Sequence, residues 1–192
     1  IITVLFVVQI SPIKIEGDET IINGSALDGV IIRIRPTNTQ GVAINIAGNG
    51  EGSTRQNVLH LYNIGDSSRF LLSRAGDDCY YIDFYNGSGH LNVSDKRVDI
   101  DDDGGYDNKY NVVHVVKGNR TANNKRWRLI RNNYDGTYYI QNVRSNQYWN
   151  LDSNFTNGNR IYQSPAKKSF EIEIEYSDSK DIKELKQKYD TY

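Results

Sequence analysis

The chain has no methionine, one cysteine and only three prolines in 192 residues, and its 23 basic and 24 acidic side chains leave a formal net charge of -1. With Cys79 alone an intrachain disulfide is excluded, and no neighbouring base stands in the sequence to activate the thiol, so Cys79 is expected to be buried. Without methionine the chain is not expected to open at a translation start. The balanced charge leaves no basic face for nucleic acid. No apolar run reaches the length of a membrane span. The nearest approach, Ile1 to Ile10, lacks the basic flank and cleavage site of a secretion signal and is expected to be a strand packed on the domain. Gly-Lys phosphate loops, His-Glu-x-x-His helices and Gly-x-Ser-x-Gly elbows are missing. The acidic pairs Asp77-Asp78 and Asp101-Asp102 fall in expected turns with no partner to split their pKa values. No catalytic residue, metal or cofactor is therefore expected, and the chain is not expected to be an enzyme.

What the sequence does have is tyrosine, 14 of them, together with recurring Val and Ile, the residue types that suit pleated strands. The length suits one domain with a core of its own. Internal similarity is plain. Asp78-Cys79-Tyr80-Tyr81-Ile82-Asp83-Phe84-Tyr85 matches Gly136-Thr137-Tyr138-Tyr139-Ile140-Gln141-Asn142-Val143, and each is followed by a polar turn and a short apolar strand with an inner Asn. These strands are expected at Leu91-Asn92-Val93 and Trp149-Asn150-Leu151. A third copy runs from Ile32-Arg33-Ile34 to Ile44-Asn45-Ile46. The second halves recur too, at Asn57 to Tyr62, Asn111 to Val116 and Asn159 to Ser164. Each leads through a turn to a strand opening on Phe70, Trp127 or Phe170.

Four short strands per copy, with Gly, Asn, Asp and Ser in the connections, predict an all-β fold. Twelve strands in three copies bury their faces by closing into a barrel capped by hairpins, a β-trefoil. The expected organisation is an N-terminal segment over residues 1–28, a trefoil over 29–176 with repeats at about 29–76, 77–134 and 135–176, and a C-terminal tail over 177–192. The tail is expected to form a short helix, because Ile182, Leu185 and Tyr189 share one face behind a Ser/Asp cap.

Trp127-Arg128-Leu129-Ile130, Gly136 to Asn142, Tyr148-Trp149-Asn150-Leu151-Asp152 and Asn157-Gly158-Asn159-Arg160-Ile161 together resemble the ricin B-chain type lectin repeat. Three such copies can be laid on residues 29–176, and the tyrosine-rich style is also similar to haemagglutinin subunits of toxin complexes and to trefoil domains of insecticidal proteins. The resemblance implies shallow pockets for galactose-type sugars, one per repeat. Each pocket would have an acid for two sugar hydroxyls, a stacking aromatic and a late Asn. Here the acid positions carry Asn45, Asn92 and Asn150, and the stacking positions carry Tyr62, Val116 and Ser164. The late positions fall near Ser67, Asn124 and Lys167. Only the first copy has its aromatic, so Asn45, His60 and Tyr62, with Asp66 or Ser67 at the rim, are the best pocket candidates. In the other reading the three Asn residues serve hairpin backbone groups and bind nothing.

Asp99-Ile100-Asp101-Asp102-Asp103-Gly104 has the opening of a calcium loop, but Tyr110 stands where the closing Glu is needed. A solvated hairpin tip is the expected form. His60 and His114 lie at equivalent points of two repeats, poor geometry for one shared site. Asn-x-Ser/Thr acceptor sites occur at Asn23, Asn86, Asn92, Asn119 and Asn154. Taken together, the expected function is binding of a cell-surface glycan by a secreted or extracellular lectin module, with a toxin or toxin complex as its setting. A trefoil that has lost its sugar pockets and contacts a partner protein is the alternative.

Overall fold

The computed structural model describes residues 13–16, 18–46, 59–85, 96–100, 113–117, 125–151 and 155–175. The strands in chain order are β1 (Ile13–Glu16), β2 (Glu19–Ile21), β3 (Ile31–Pro36), β4 (Val42–Ile46), β5 (Leu59–Asn63), β6 (Phe70–Arg74), β7 (Tyr80–Phe84), β8 (Lys96–Ile100), β9 (Val113–Lys117), β10 (Trp127–Asn132), β11 (Tyr138–Asn142), β12 (Tyr148–Asn150), β13 (Tyr162–Ser164) and β14 (Phe170–Ile174). A single 3-10 turn stands at Asp66–Ser68. The C-terminal helix expected over 177–192 and the apolar opening Ile1 to Ile10 lie outside the described residues.

Six strands close on themselves. β3 pairs with β6, β6 with β7, β7 with β10, β10 with β11, β11 with β14, and β14 returns to β3, every pair antiparallel. Closure removes the open edges that a flat sheet of this size would expose. Three hairpins, β4–β5, β8–β9 and β12–β13, make up the rest of the threefold unit. The register itself repeats. Phe70 stands opposite Ile32, Trp127 opposite Tyr80 and Phe170 opposite Tyr138. On their other sides the same three residues face Phe84, Asn142 and Pro36.

Burial follows the repeats. Phe70, Trp127 and Phe170 are fully buried, as are Ile34, Ile82 and Ile140 one layer away. At the hairpin end Leu59, Val113 and Ile161 are fully buried and linked by backbone hydrogen bonds around the axis, Ile161 N–H to Leu59 O at 2.9 Å and Val113 N–H to Ile161 O at 2.9 Å. Alternation along a strand accounts for the polar residues. In β14, Phe170 faces in while Glu171 and Glu173 face Arg35 and Arg33 of β3 across the ladder. Arg35 meets Glu171 at 2.9 Å and Arg33 meets Glu173 at 3.7 Å, so the first and last barrel strands are joined by opposite charges as well as by backbone. Cross-strand ion pairs of this kind contribute roughly 0.2–1 kcal/mol each.

Two strands lie outside the threefold unit. β1 and β2 form a hairpin whose second strand adds to β10, with Ile21 opposite Ile130. Beyond it Ile22 is buried and Ala26, Leu27 and Val30 pack on the core. The Tyr80 hydroxyl donates to Asn23 O and accepts from Leu27 N–H, and burial pushes its pKa up. Cys79 is a buried free thiol whose pKa is raised by burial first and by Asp78 second.

Candidate functional site

The first repeat brings its candidate residues together, in a different arrangement from the one expected. Asn45 and His60 are opposite each other in the β4–β5 ladder, and Tyr62 follows two residues on, opposite Ala43. The His60 and Tyr62 rings stack with centroids 5.5 Å apart and planes 6° from parallel. Tyr62 remains 47% exposed, the condition for a ring that offers one apolar face to a ligand. Half-burial of His60 lowers its pKa by desolvation, which favours the neutral ring. Asp66 is exposed and paired with Arg69 at 3.0 Å.

Asn45 is a correction. It was expected to meet sugar hydroxyls, but it is only 1% exposed. Its Nδ2 donates to Ala43 O at 2.9 Å and Tyr62 O at 3.2 Å, and its Oδ1 accepts from the Ser67 hydroxyl at 2.7 Å. The amide therefore ties the hairpin to the 3-10 turn that covers it. The Nδ2 of Asn45 faces carbonyl oxygens, which require a donor and would repel a carboxylate at this place. Replacing Asn45 with Ala strands these buried groups and is expected to cost about 1–3 kcal/mol. A urea titration checks this, and an unchanged midpoint would show that the network is dispensable.

The second repeat carries a correction of register. Leu91-Asn92-Val93 was expected to be the counterpart of the Asn-bearing strands, but β9 pairs with Lys96–Ile100, which puts Asp99 opposite His114. Asn45 opposite His60 and Asn150 opposite Tyr162 hold the same place in their hairpins. Asp99, not Asn92, is thus the second copy's counterpart, and the strand includes Asp99 and Ile100, which were expected in the acidic loop tip. Asn92, Asn124 and Asp101 to Asp107 lie outside the described residues.

In the third repeat Asn150 donates to Ala166 O at 3.1 Å, and its own Oδ1 accepts from Leu151 N–H at 2.8 Å. Lys167 is held by both oxygens of Glu19 at 2.6 and 2.7 Å and lies over the Tyr139 and Tyr148 rings. The stacking position is Ser164, so this copy has no aromatic platform there.

One neighbour of the first-repeat site was missed. His60 forms an antiparallel bridge with Arg160, from the turn before β13. The two are a hundred positions apart, so no local pattern could have signalled the contact.

No protein-family model and no curated protein sequence matches the chain. Solved structures do. A mosquitocidal holotoxin aligns with TM-score 0.62 and 13% identity over 79% of this chain and 18% of its own. A Polyporus squamosus lectin, solved with a human-type influenza-binding epitope, aligns with TM-score 0.56 and 9% identity over 77% of this chain and 49% of its own. The protein BEL, described as a β-trefoil, aligns with TM-score 0.55 and 14% identity over 77% of this chain and 94% of its own. The chain is a β-trefoil. At these identities the likeness is one of fold, and the trefoil supports unrelated functions. The chain spans a small part of the toxin and about half of the lectin. Among the trefoil's described residues no helix is long and apolar enough to cross a membrane.

Proposed function

We propose that this trefoil is a non-catalytic carbohydrate-binding module that takes a galactose-type sugar in its first repeat, displayed outside the cell as the receptor-binding part of a toxin or toxin complex. The observation that carries the reading is the half-exposed Tyr62 ring stacked on His60. A pyranose face is apolar enough to lie on such a ring, and the ring keeps its orientation because His60 backs it. His60 and the Ser67 hydroxyl supply polar groups at the rim, with Ser67 held in place by Asn45. A lectin and a toxin among the proteins of like fold agree with the reading.

Few polar contacts and no carboxylate on the floor imply weak binding, with a dissociation constant near the millimolar range, about -4 kcal/mol. Avidity would come from several copies of the chain. A lactose titration followed by NMR on wild type and Tyr62→Ala tests this. Wild type is expected to bind, and Tyr62→Ala to bind at least about tenfold more weakly, a loss of about 1.4 kcal/mol. Equal binding by the two would misplace the site. The spending of Asn45 and Asn150 on their own chain favours a second reading, a trefoil that contacts a partner protein. That reading takes over if a broad glycan array shows no binding at millimolar sensitivity.

A further inference from the structure

The third repeat surrounds an ammonium group on three sides. Lys167 Nζ lies 5.1 Å from the centre of the Tyr139 ring and 5.5 Å from that of Tyr148. Both distances fall inside the reach of a cation–π contact, about 6 Å. The two ring centres are 6.4 Å apart and their planes 78° from parallel, so the rings form two walls of a corner. Glu19 makes the third side, with its oxygens 2.6 and 2.7 Å from the same nitrogen. Glu19 comes from β2, Tyr139 from β11, Tyr148 from β12 and Lys167 from the turn between β13 and β14.

The walls are fixed more firmly than the occupant. Tyr139 stands opposite Ile130 in the barrel, and its hydroxyl accepts from Asn132 Nδ2 at 3.4 Å. Tyr148 is paired with Gln141 on one side and Ser164 on the other. The turn is pinned at Ala166, whose O accepts from Asn150 at 3.1 Å and whose N–H donates to the Ser164 hydroxyl at 3.1 Å. Lys167 itself is a flexible arm, and about a third of its side chain and of Glu19's is open to water. Ion pairs exposed to this degree hold long side chains weakly, so the lysine can leave while the turn stays in place. We infer that this corner is a binding site for a quaternary ammonium of the choline type, which takes the place of the Lys167 ammonium between Tyr139, Tyr148 and Glu19. Such a cation has no N–H to lose to water, and its charge is recognised by aromatic faces. Glu19 supplies the counter-charge once Lys167 swings out. The resident lysine competes, so wild type fills the site only at high ligand concentration. The site belongs to the third repeat and does not rest on the lectin reading.

The test is an NMR titration with choline and with its uncharged isostere, in which carbon replaces nitrogen. Lys167→Ala is expected to bind choline about tenfold more tightly than wild type, because the competing cation is gone. Lys167→Gln, which keeps a long stem without the charge, should shift affinity in the same direction. Adding Tyr148→Ala or Glu19→Gln to Lys167→Ala should each weaken choline binding by about tenfold, and the uncharged isostere should bind Lys167→Ala at least about tenfold more weakly than choline does. Choline binding by Lys167→Ala that is absent, or no tighter than wild type, overturns the inference. So does equal binding of choline and the isostere, or binding that neither added substitution weakens. Tyr62→Ala is expected to leave choline binding unchanged while weakening lactose binding, so this site and the first-repeat site stand or fall separately.

Discussion

Trp127→Ala is expected to lower the stability of the fold by about 3–5 kcal/mol, the cost of truncating a fully buried large aromatic to a cavity. Trp127 has no exposed surface. It lies edge-on to Trp149 with centroids 5.5 Å apart, and Trp149 lies edge-on to Phe170 at 6.2 Å. Aromatics from two repeats therefore share one contact chain, and a cavity at Trp127 removes support from the third repeat as well as the second. The Trp149 indole N–H has no hydrogen-bond partner among the described residues, so packing alone holds that ring. Phe70→Ala and Phe170→Ala should act in the same direction, because both residues occupy equivalent register positions. A denaturant titration measures the effect as a fall in midpoint at unchanged slope. A midpoint unmoved by Trp127→Ala would show that the ring is not part of the core.

Gly24→Ala should be almost as damaging, although it adds one methyl group on the N-terminal segment. A Cβ at Gly24 would lie 2.0 Å from Gly76 O and 3.0 Å from Cys79 O. Both obstacles are backbone and neither can swing aside. Gly24 N–H donates to Asp77 O at 2.9 Å and Ala75 N–H donates to Cys79 O at 3.0 Å, which fixes the two segments against each other. Overpacking of this kind costs typically about 1–3 kcal/mol and more where the neighbour is rigid; about 3 kcal/mol is expected here. Gly65→Ala is the control, since a Cβ there meets nothing within 4 Å and the extended backbone at φ -165 accepts any residue. Its effect should stay within about 0.5 kcal/mol. Thermal melts of the two variants give the comparison, and equal midpoints would mean that residues 22–30 do not pack on the 75–79 loop as described.

The trefoil was legible because a threefold fold writes the same burial demand into the chain three times. Ile34, Ile82 and Ile140, and likewise Phe70, Trp127 and Phe170, could be aligned by spacing alone, and all six are buried at equivalent places. Turn residues between short β-branched and aromatic runs then left few architectures that bury every strand. Spacing misled where a loop changed length. Lengthening a surface loop costs little, so the second repeat could place its hairpin strand at Lys96–Ile100 rather than around Asn92. A short apolar run with a polar centre looks the same at either place.

The amino-acid order by itself determined the three repeats, the rings of core residues and the aromatic at Tyr62, because strand periodicity and turn chemistry act over a few neighbouring residues. Only the tertiary structure decided that Asn45 turns its amide to carbonyls of its own hairpin, that Gly24 lies against Gly76, and that Arg160 stands beside His60. Each of these depends on which backbone groups meet across the closed barrel and its hairpins. That pairing is set by the packing of all three repeats at once, and no local window of the chain contains it.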